Sequence, residues 1–175
     1  ALSTRAVRQL GESFREYAEN LIDELLDKGT FEAVEELAET YSITVFPDAV
    51  GLQERDRRLV DYGDMVFNAL GPDNDLRHNA MAKGPGVVPW IMEQCRRDRL
   101  KPGGFGAAIY AASDTGEITE EEAGLLVRSL LSAGVDTTVA VLGSAIWCLA
   151  NNPDQFQRLK QDPKMALWTF EETLR

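Results

Sequence analysis

The sequence predicts a mainly α-helical chain, and three observations carry that prediction. Apolar residues recur at three- and four-residue steps through most of its length, the pattern of helices that bury one face. Helix-start signals stand at Thr119-x-x-Glu122, Asn152-Pro153 and Asp162-Pro163, where a side-chain oxygen or a proline answers the free amides of a first turn. No stretch alternates apolar and polar residues over a useful length, and there is neither an internal repeat nor a low-complexity tract.

In chain order, Val7, Leu10, Phe14, Tyr17, Leu21 and Leu25 predict one amphipathic helix, stopped by Lys28-Gly29 with a cation in the last turn and glycine to follow. The segment from Thr30 to Leu52 is expected to open with at most a short strand, near Phe31–Val34, and to turn helical near Leu37. Pro47 would strain a helix there. Leu59, Tyr62, Val66, Phe67 and Leu70 give the next segment one apolar face, closed by the loop Gly71-Pro72-Asp73-Asn74. Further helices are expected over Val87–Leu100 and Phe105–Ala112, parted by Lys101-Pro-Gly-Gly104.

After a turn at Asp114–Glu117, the Thr119/Glu122 capping box opens a helix expected to run from Glu120 to about Ala150, roughly 45 Å at 1.5 Å per residue. Leu125, Leu126, Leu130, Leu131, Val135, Val139, Leu142, Ile146 and Leu149 spread apolar character nearly all round it. That predicts a central helix packed on every face. The run approaches membrane-spanning length, but Asp136 near its middle would cost roughly 2.5 to 3.5 kcal/mol at a bilayer centre. A buried helix is the better reading, with no membrane.

Composition narrows function. Hydrophobic residues make up 44% of the 175, enough for a substantial core. The net charge of −11, from 29 acidic and 18 basic residues, disfavours nucleic acid as a partner. Cys95 and Cys148 form no CxxC, and no signal segment opens the chain at Ala1, so a reducing cytoplasm is expected. His78 lies beside a polar loop and reads as a solvated side chain, while Trp90 and Met92 read as core. No P-loop, G-x-G-x-x-G or H-E-x-x-H is present.

The chemistry concentrates at Ala133-Gly134-Val135-Asp136-Thr137-Thr138. A glycine, a carboxylate and two threonines in mid-helix oppose local preference, and such conflicts gather at functional sites. A kink is the alternative, with Thr137 bonding back to the Ala133 carbonyl. That leaves Asp136 unexplained.

These residues match Ala/Gly-Gly-x-Asp/Glu-Thr-Thr/Ser, and in them the sequence resembles the cytochrome P450 superfamily of haem-thiolate monooxygenases. A chance match in a chain of this length is on the order of one in a thousand. Glu172-Thr-Leu-Arg175 matches that family's Glu-x-x-Arg and falls 36 residues after Asp136, across two proline-started helices, as the family arranges it. The resemblance implies the central helical part of the fold. Residues 1–175 form a single partial domain, with the oxygen-binding helix at about 120–150 and the Glu-x-x-Arg helix at about 163–175. The N-terminal part and the haem-binding loop lie outside it. Neither Cys95 nor Cys148 has the Phe-x-x-Gly-x-x-x-Cys surroundings of the axial ligand, so the chain supplies no metal ligand.

The run from Leu125 to Thr138, with Pro102–Gly106 and Asp114–Thr119, is similar to bacterial members that oxidise para-substituted benzoic acids and demethylate aryl ethers such as 4-methoxybenzoate. Val66–Pro72 looks like the helix that covers the substrate in that group, with Leu70 where many carry a second aromatic. The resemblance implies haem b, dioxygen, a small aromatic acid, and a ferredoxin-type electron donor with its reductase.

On this reading Asp136 relays protons and Thr137 orients the oxygen being activated. Ala133 and Gly134 lie beside it, Gly134 leaving it room against the backbone. Val66, Phe67, Leu70, Arg128, Ser129 and Ser132 contact the substrate, Ser129 donating to a carboxylate with Arg128 nearby. Glu172 and Arg175 clamp the haem-binding loop. Helix packing, with Arg128 in an outward salt bridge, is the structural alternative for that group. The 175 residues alone are expected to be inactive. A non-catalytic, acidic, all-helical interaction protein is the competing reading.

Overall fold

The capping and periodicity signals translate into helices almost one for one in the computed structural model, which describes residues 4–175. The first, α1 (Thr4–Lys28), ends at Gly29, whose amide reaches back to the Leu25 and Leu26 carbonyls. A π-helical segment (Ala33–Glu39) leads without a break into α2 (Thr40–Val50). Then come α3 (Arg58–Ala69), α4 (Asp75–Ala82), α5 (Gly84–Gln94) and a 3-10 turn (Arg97–Arg99). They are followed by α6 (Phe105–Asp114), the long α7 (Glu120–Asn151) and α8 (Pro153–Gln161). A second 3-10 turn (Pro163–Met165) enters α9 (Ala166–Thr173).

Several expectations need correction. No strand forms near Phe31–Val34. Glu32 is extended there, and as a cap its carboxylate accepts from the Glu35 amide, which commits the next residues to helical turns. Pro47 sits inside α2 rather than breaking it, fully buried. In the two preceding turns Ser42 and Thr44 donate their hydroxyls to the Ala38 and Thr40 carbonyls. The Pro47 carbonyl in turn accepts from Gly51 and Leu52. The helix expected over Val87–Leu100 stops at Gln94. Leu100 instead forms an isolated bridge with Leu52.

That bridge ties the two loops flanking the core. Gly51 turns the chain at φ +99°, a region that side chains with a Cβ avoid. Gly104 lies so close that an added Cβ would stand 2.5 Å from the Val50 carbonyl oxygen.

The core is one cluster running from Val50, Leu52, Leu59 and Tyr62 through Ile91, Cys95 and Tyr110 to Val127, Leu131 and Val135. On α3 the buried face is Leu59, Tyr62, Gly63 and Met65. Val66 is half-buried, whereas Phe67 (43%) and Leu70 (84%) are exposed, contrary to the predicted stripe. Phe67 is rotated off the buried face at about 100° per residue, and Leu70 is already the C-cap. Trp90 packs against the core under the Arg58 guanidinium, 4.3 Å from its ring centre, but Met92 is exposed.

The largest correction concerns α7. Its capping box is present in both directions, and α2, α3, α6 and the π-helical segment all pack on it. Yet its buried residues are Ala123, Val127, Leu131, Val135 and Val139 alone, one per turn along a single edge. Leu126, Ser129, Ala133, Thr137, Ala140, Ser144 and Trp147 are exposed, again one per turn. Within these residues α7 is packed on one side and open on the other. Among the described residues it is the one helix long and apolar enough to cross a membrane; its packing against seven other elements fits a core helix.

Candidate functional site

The open side of α7 brings the predicted oxygen-side residues together. Ala133 and Thr137 stand one turn apart on it, both exposed. The Thr137 hydroxyl donates to the Ala133 carbonyl, and Thr138 donates likewise to Gly134 at 2.8 Å. Back-bonding of this kind relieves two hydroxyls in an apolar helix. It leaves the Thr137 oxygen with acceptor capacity toward whatever lies on the open face.

Gly134 does something other than predicted. A Cβ there would meet three ring atoms of Phe46 at 2.2, 2.3 and 2.5 Å. The missing side chain is filled by a ring from α2, so the room it makes is not beside Thr137 on the open face. Sequence reading missed Phe46, because nothing local marks which helix a glycine will admit.

Asp136 is half-buried between the two faces and seated on α3. A Cβ at Gly63 would stand 2.5 Å from the Asp136 Cβ and 3.2 Å from its carboxyl carbon. Burial, then the neighbouring Asp64 carboxylate, holds the Asp136 carboxyl above the usual aspartate range. Gly63 is a site residue that sequence reading also missed, and its only signal was a glycine inside an apolar helical stripe.

Arg128 neither points outward nor finds a carboxylate among the described residues. Its Nη1 lies 3.9 Å from the Met92 sulfur, and its buried Nε has no hydrogen-bond partner. Ser129 beside it is exposed, and Ser132 donates to the Ser129 carbonyl at 3.0 Å.

The sequence of residues 10–172 matches the family model described as Cytochrome P450. The chain belongs to the cytochrome P450 family. It is 51% identical over 99% of its length to "Cytochrome p450 CYP199A2" of Rhodopseudomonas palustris. With "Cytochrome P450 107B1" of Saccharopolyspora erythraea it shares 29% identity over 100% of its length. It spans 43% of the length of each of these relatives. Its backbone is similar, at a TM-score of 0.81 and 21% identity, to P450BioI in a crystal structure with a ligated acyl carrier protein, covering 98% of this chain and 46% of that one.

The family implies haem b, and the shape of α7 fits it. A stripe of Ser129, Ala133, Thr137, Ala140 and Ser144 offers small exposed side chains to a flat group, with no charge along it. Cys95 is buried, its thiol pushed up to about 12 by that burial against a partial offset from Arg128, so it stays a protonated core residue. Cys148 is exposed near the end of α7, lining a cavity of about 400 Å³ with Trp168 and Glu172.

Glu172 and Arg175 pair at 3.1 Å, but with side chains 69% and 80% exposed. Within these residues they form a surface pair rather than a buried clamp. His78 is exposed and pairs with Asp73 at 2.7 Å. No group of three metal-ligating side chains occurs among the described residues.

Proposed function

We propose that these residues are the central section of a haem-dependent monooxygenase that hydroxylates or O-demethylates a small aromatic acid such as 4-methoxybenzoate. The remaining N-terminal part and the haem-binding loop lie outside residues 1–175. The observation that carries this reading is the pairing on α7 of an exposed Thr137, bonded back to Ala133, with a half-buried Asp136 one residue before it. A haem held against this face would supply an electron-rich, thiolate-bound iron suited to activating dioxygen.

The residues of α7 then have distinct tasks. Thr137 sits where its hydroxyl oxygen can accept and orient a hydrogen bond above the open face. Asp136 lies off that face and moves protons inward from solvent. Its raised proton affinity keeps more of it in the donor form near neutral pH than a free aspartate would have. Ala133 leaves the face low enough for close approach.

The substrate class rests on Arg128. A guanidinium with a buried, partnerless Nε is costly to keep, and an aromatic carboxylate would satisfy it with the exposed Ser129 hydroxyl beside it. Ser132 supports that turn through its bond to the Ser129 carbonyl. Val66, Phe67 and Leu70 form the roof. The exposure of Phe67 and Leu70 leaves apolar area for an aromatic ring, and the smaller Leu70 widens the space. Electrons come from a ferredoxin-type donor and its reductase in the cytoplasm. Glu172 and Arg175 become buried when the haem-binding loop closes over them.

Variants of the full-length protein at saturating substrate test the assignment. Thr137→Ala is expected to keep haem and substrate binding while electrons drain into hydrogen peroxide. Asp136→Asn is expected to slow turnover with coupling kept. General acid–base effects span roughly 100- to 10,000-fold, and water access should hold this one near the low end. Should Thr138→Ala uncouple the enzyme and Thr137→Ala not, the threonines are misassigned. Unchanged coupling and rate in both Thr137→Ala and Asp136→Asn would reduce the polar centre of α7 to a kink.

A further inference from the structure

Asp136 meets α3 at Gly63, and the chemistry around that glycine is specific. Gly63 has no side chain there, so the Asp136 Cβ packs directly on the α3 backbone. The next residue, Asp64, presents a like charge to it. Asp64 is itself fixed from two sides: the Asn68 amide donates to its Oδ1 at 2.7 Å, and the Lys83 ammonium lies 3.1 Å from its Oδ2. Lys83 caps α4 where it meets α5 and also binds Asp61 at 2.7 Å.

The charged groups of α2, α6 and the π-helical segment, which pack against α7, are engaged elsewhere. Arg57 holds Glu35 and Glu39 of the π-helical segment. Asp48 of α2 is held by Arg55 and Lys101, and Asp114 of α6 by Arg97. Arg128 lies about two turns earlier on α7 itself.

We propose that Asp64 and Lys83 are positioning residues for Asp136, with Gly63 as the seat that brings the Asp64–Lys83 pair alongside its side chain. The inference rests on reading Asp136 as the proton relay. Two like charges in a partly desolvated place cannot both ionise freely, so Asp64 makes Asp136 a better proton carrier near neutral pH. Lys83 neutralises part of Asp64 and keeps that effect from going too far. Because Lys83 stands between α4 and α5, the proton affinity of Asp136 becomes tied to how the roof-side helices are set against α3.

The test uses the full-length haem protein and reads the titration of Asp136 without activity. A carboxyl whose folded affinity is raised stabilises the fold below its unfolded pKa, and that contribution disappears as pH rises through the folded value. Asp136→Asn should therefore be more stable than the parent at neutral pH, with the difference vanishing in acid. The upper bend of that difference curve, taken from urea unfolding across pH, marks the folded titration of Asp136, and the midpoint moves in the same direction as that bend.

Introduced into an Asp64→Asn background, the same comparison should move its midpoint to lower pH. In a Lys83→Met background it should move to higher pH, and in Lys83→Arg it should stay near the parent. The alkaline limb of the turnover profile should shift in the same two directions. If Asp64 and Lys83 merely brace α3, both neutral variants lose stability at all pH and the midpoint stays fixed, which overturns the inference. Midpoints that move the same way in both backgrounds overturn it as well. Opposite shifts of the midpoint alongside an Asp136→Asn variant of unchanged turnover rate would support the control of Asp136 and sink the relay reading.

Discussion

Gly134→Ala asks what the missing side chain at the centre of α7 is for. The added methyl would stand 2.2 to 2.5 Å from the Phe46 ring, against roughly 3.5 to 4.0 Å for relaxed carbon contacts. The ring or α2 would have to withdraw by about 1 Å or more. Overpacking of this kind costs about 1 to 3 kcal/mol, and exchanging glycine for alanine in a helix interior returns about 1 kcal/mol. The net expectation is a loss of about 1 kcal/mol. Removing the ring changes the sign: in a Phe46→Ala background the strain is gone, and the same substitution should gain up to about 1 kcal/mol. Urea unfolding of the four full-length proteins, followed by far-UV circular dichroism, gives both differences. An effect of Gly134→Ala that is equal in the two backgrounds would refute the packing argument and return Gly134 to the open face.

Two further outcomes concern what lies beyond these residues. Glu172→Ala in the full-length protein is expected to abolish haem incorporation, because breaking a buried pair costs roughly 3 to 5 kcal/mol; in residues 1–175 alone, where the pair is exposed, it should leave stability unchanged, and normal haem content in the full-length variant would leave a surface pair worth at most about 1 kcal/mol. The 175 residues expressed alone should bind no haem natively and be poorly soluble, since Trp147, Leu167, Trp168 and Leu174 are all exposed; a thiolate-type Soret band with carbon monoxide would contradict this.

What could be read from the chain were features decided within one turn. Thr119 with Glu122 and Lys28 with Gly29 mark helix ends where expected, and Pro153 and Pro163 open the next two elements, although Asn152 makes no side-chain cap bond and Asp162 caps a 3-10 turn ahead of α9. The back-bonds of Thr137 and Thr138 are equally local. Features decided between helices were not legible. Pro47 is tolerated where isolated-helix rules forbid it, in a helix whose neighbouring hydroxyls bond back to its carbonyls. Gly63 and Gly134 look alike in sequence, but one seats a carboxylate from α7 and the other a ring from α2. Apolar character all round α7 was read as burial all round it. Among the described residues one edge alone is buried, because a side chain's hydrophobicity records the surface it can cover and not which segment covers it.

The one-edged burial of α7 has a consequence for assembly. The elements packed along the edge from Ala123 to Val139 include α2, α3, α5, α6 and the π-helical segment, all made before α7 leaves the ribosome, where synthesis proceeds from the N-terminus. The helix can therefore dock as soon as it emerges, with its registration already set by Phe46 and Gly63. None of those elements covers its other edge, where Ala133 and Thr137 are exposed. A prosthetic group destined for that edge would meet a finished wall on one side and an open doorway on the other, so loading need not wait for the chain to unfold again.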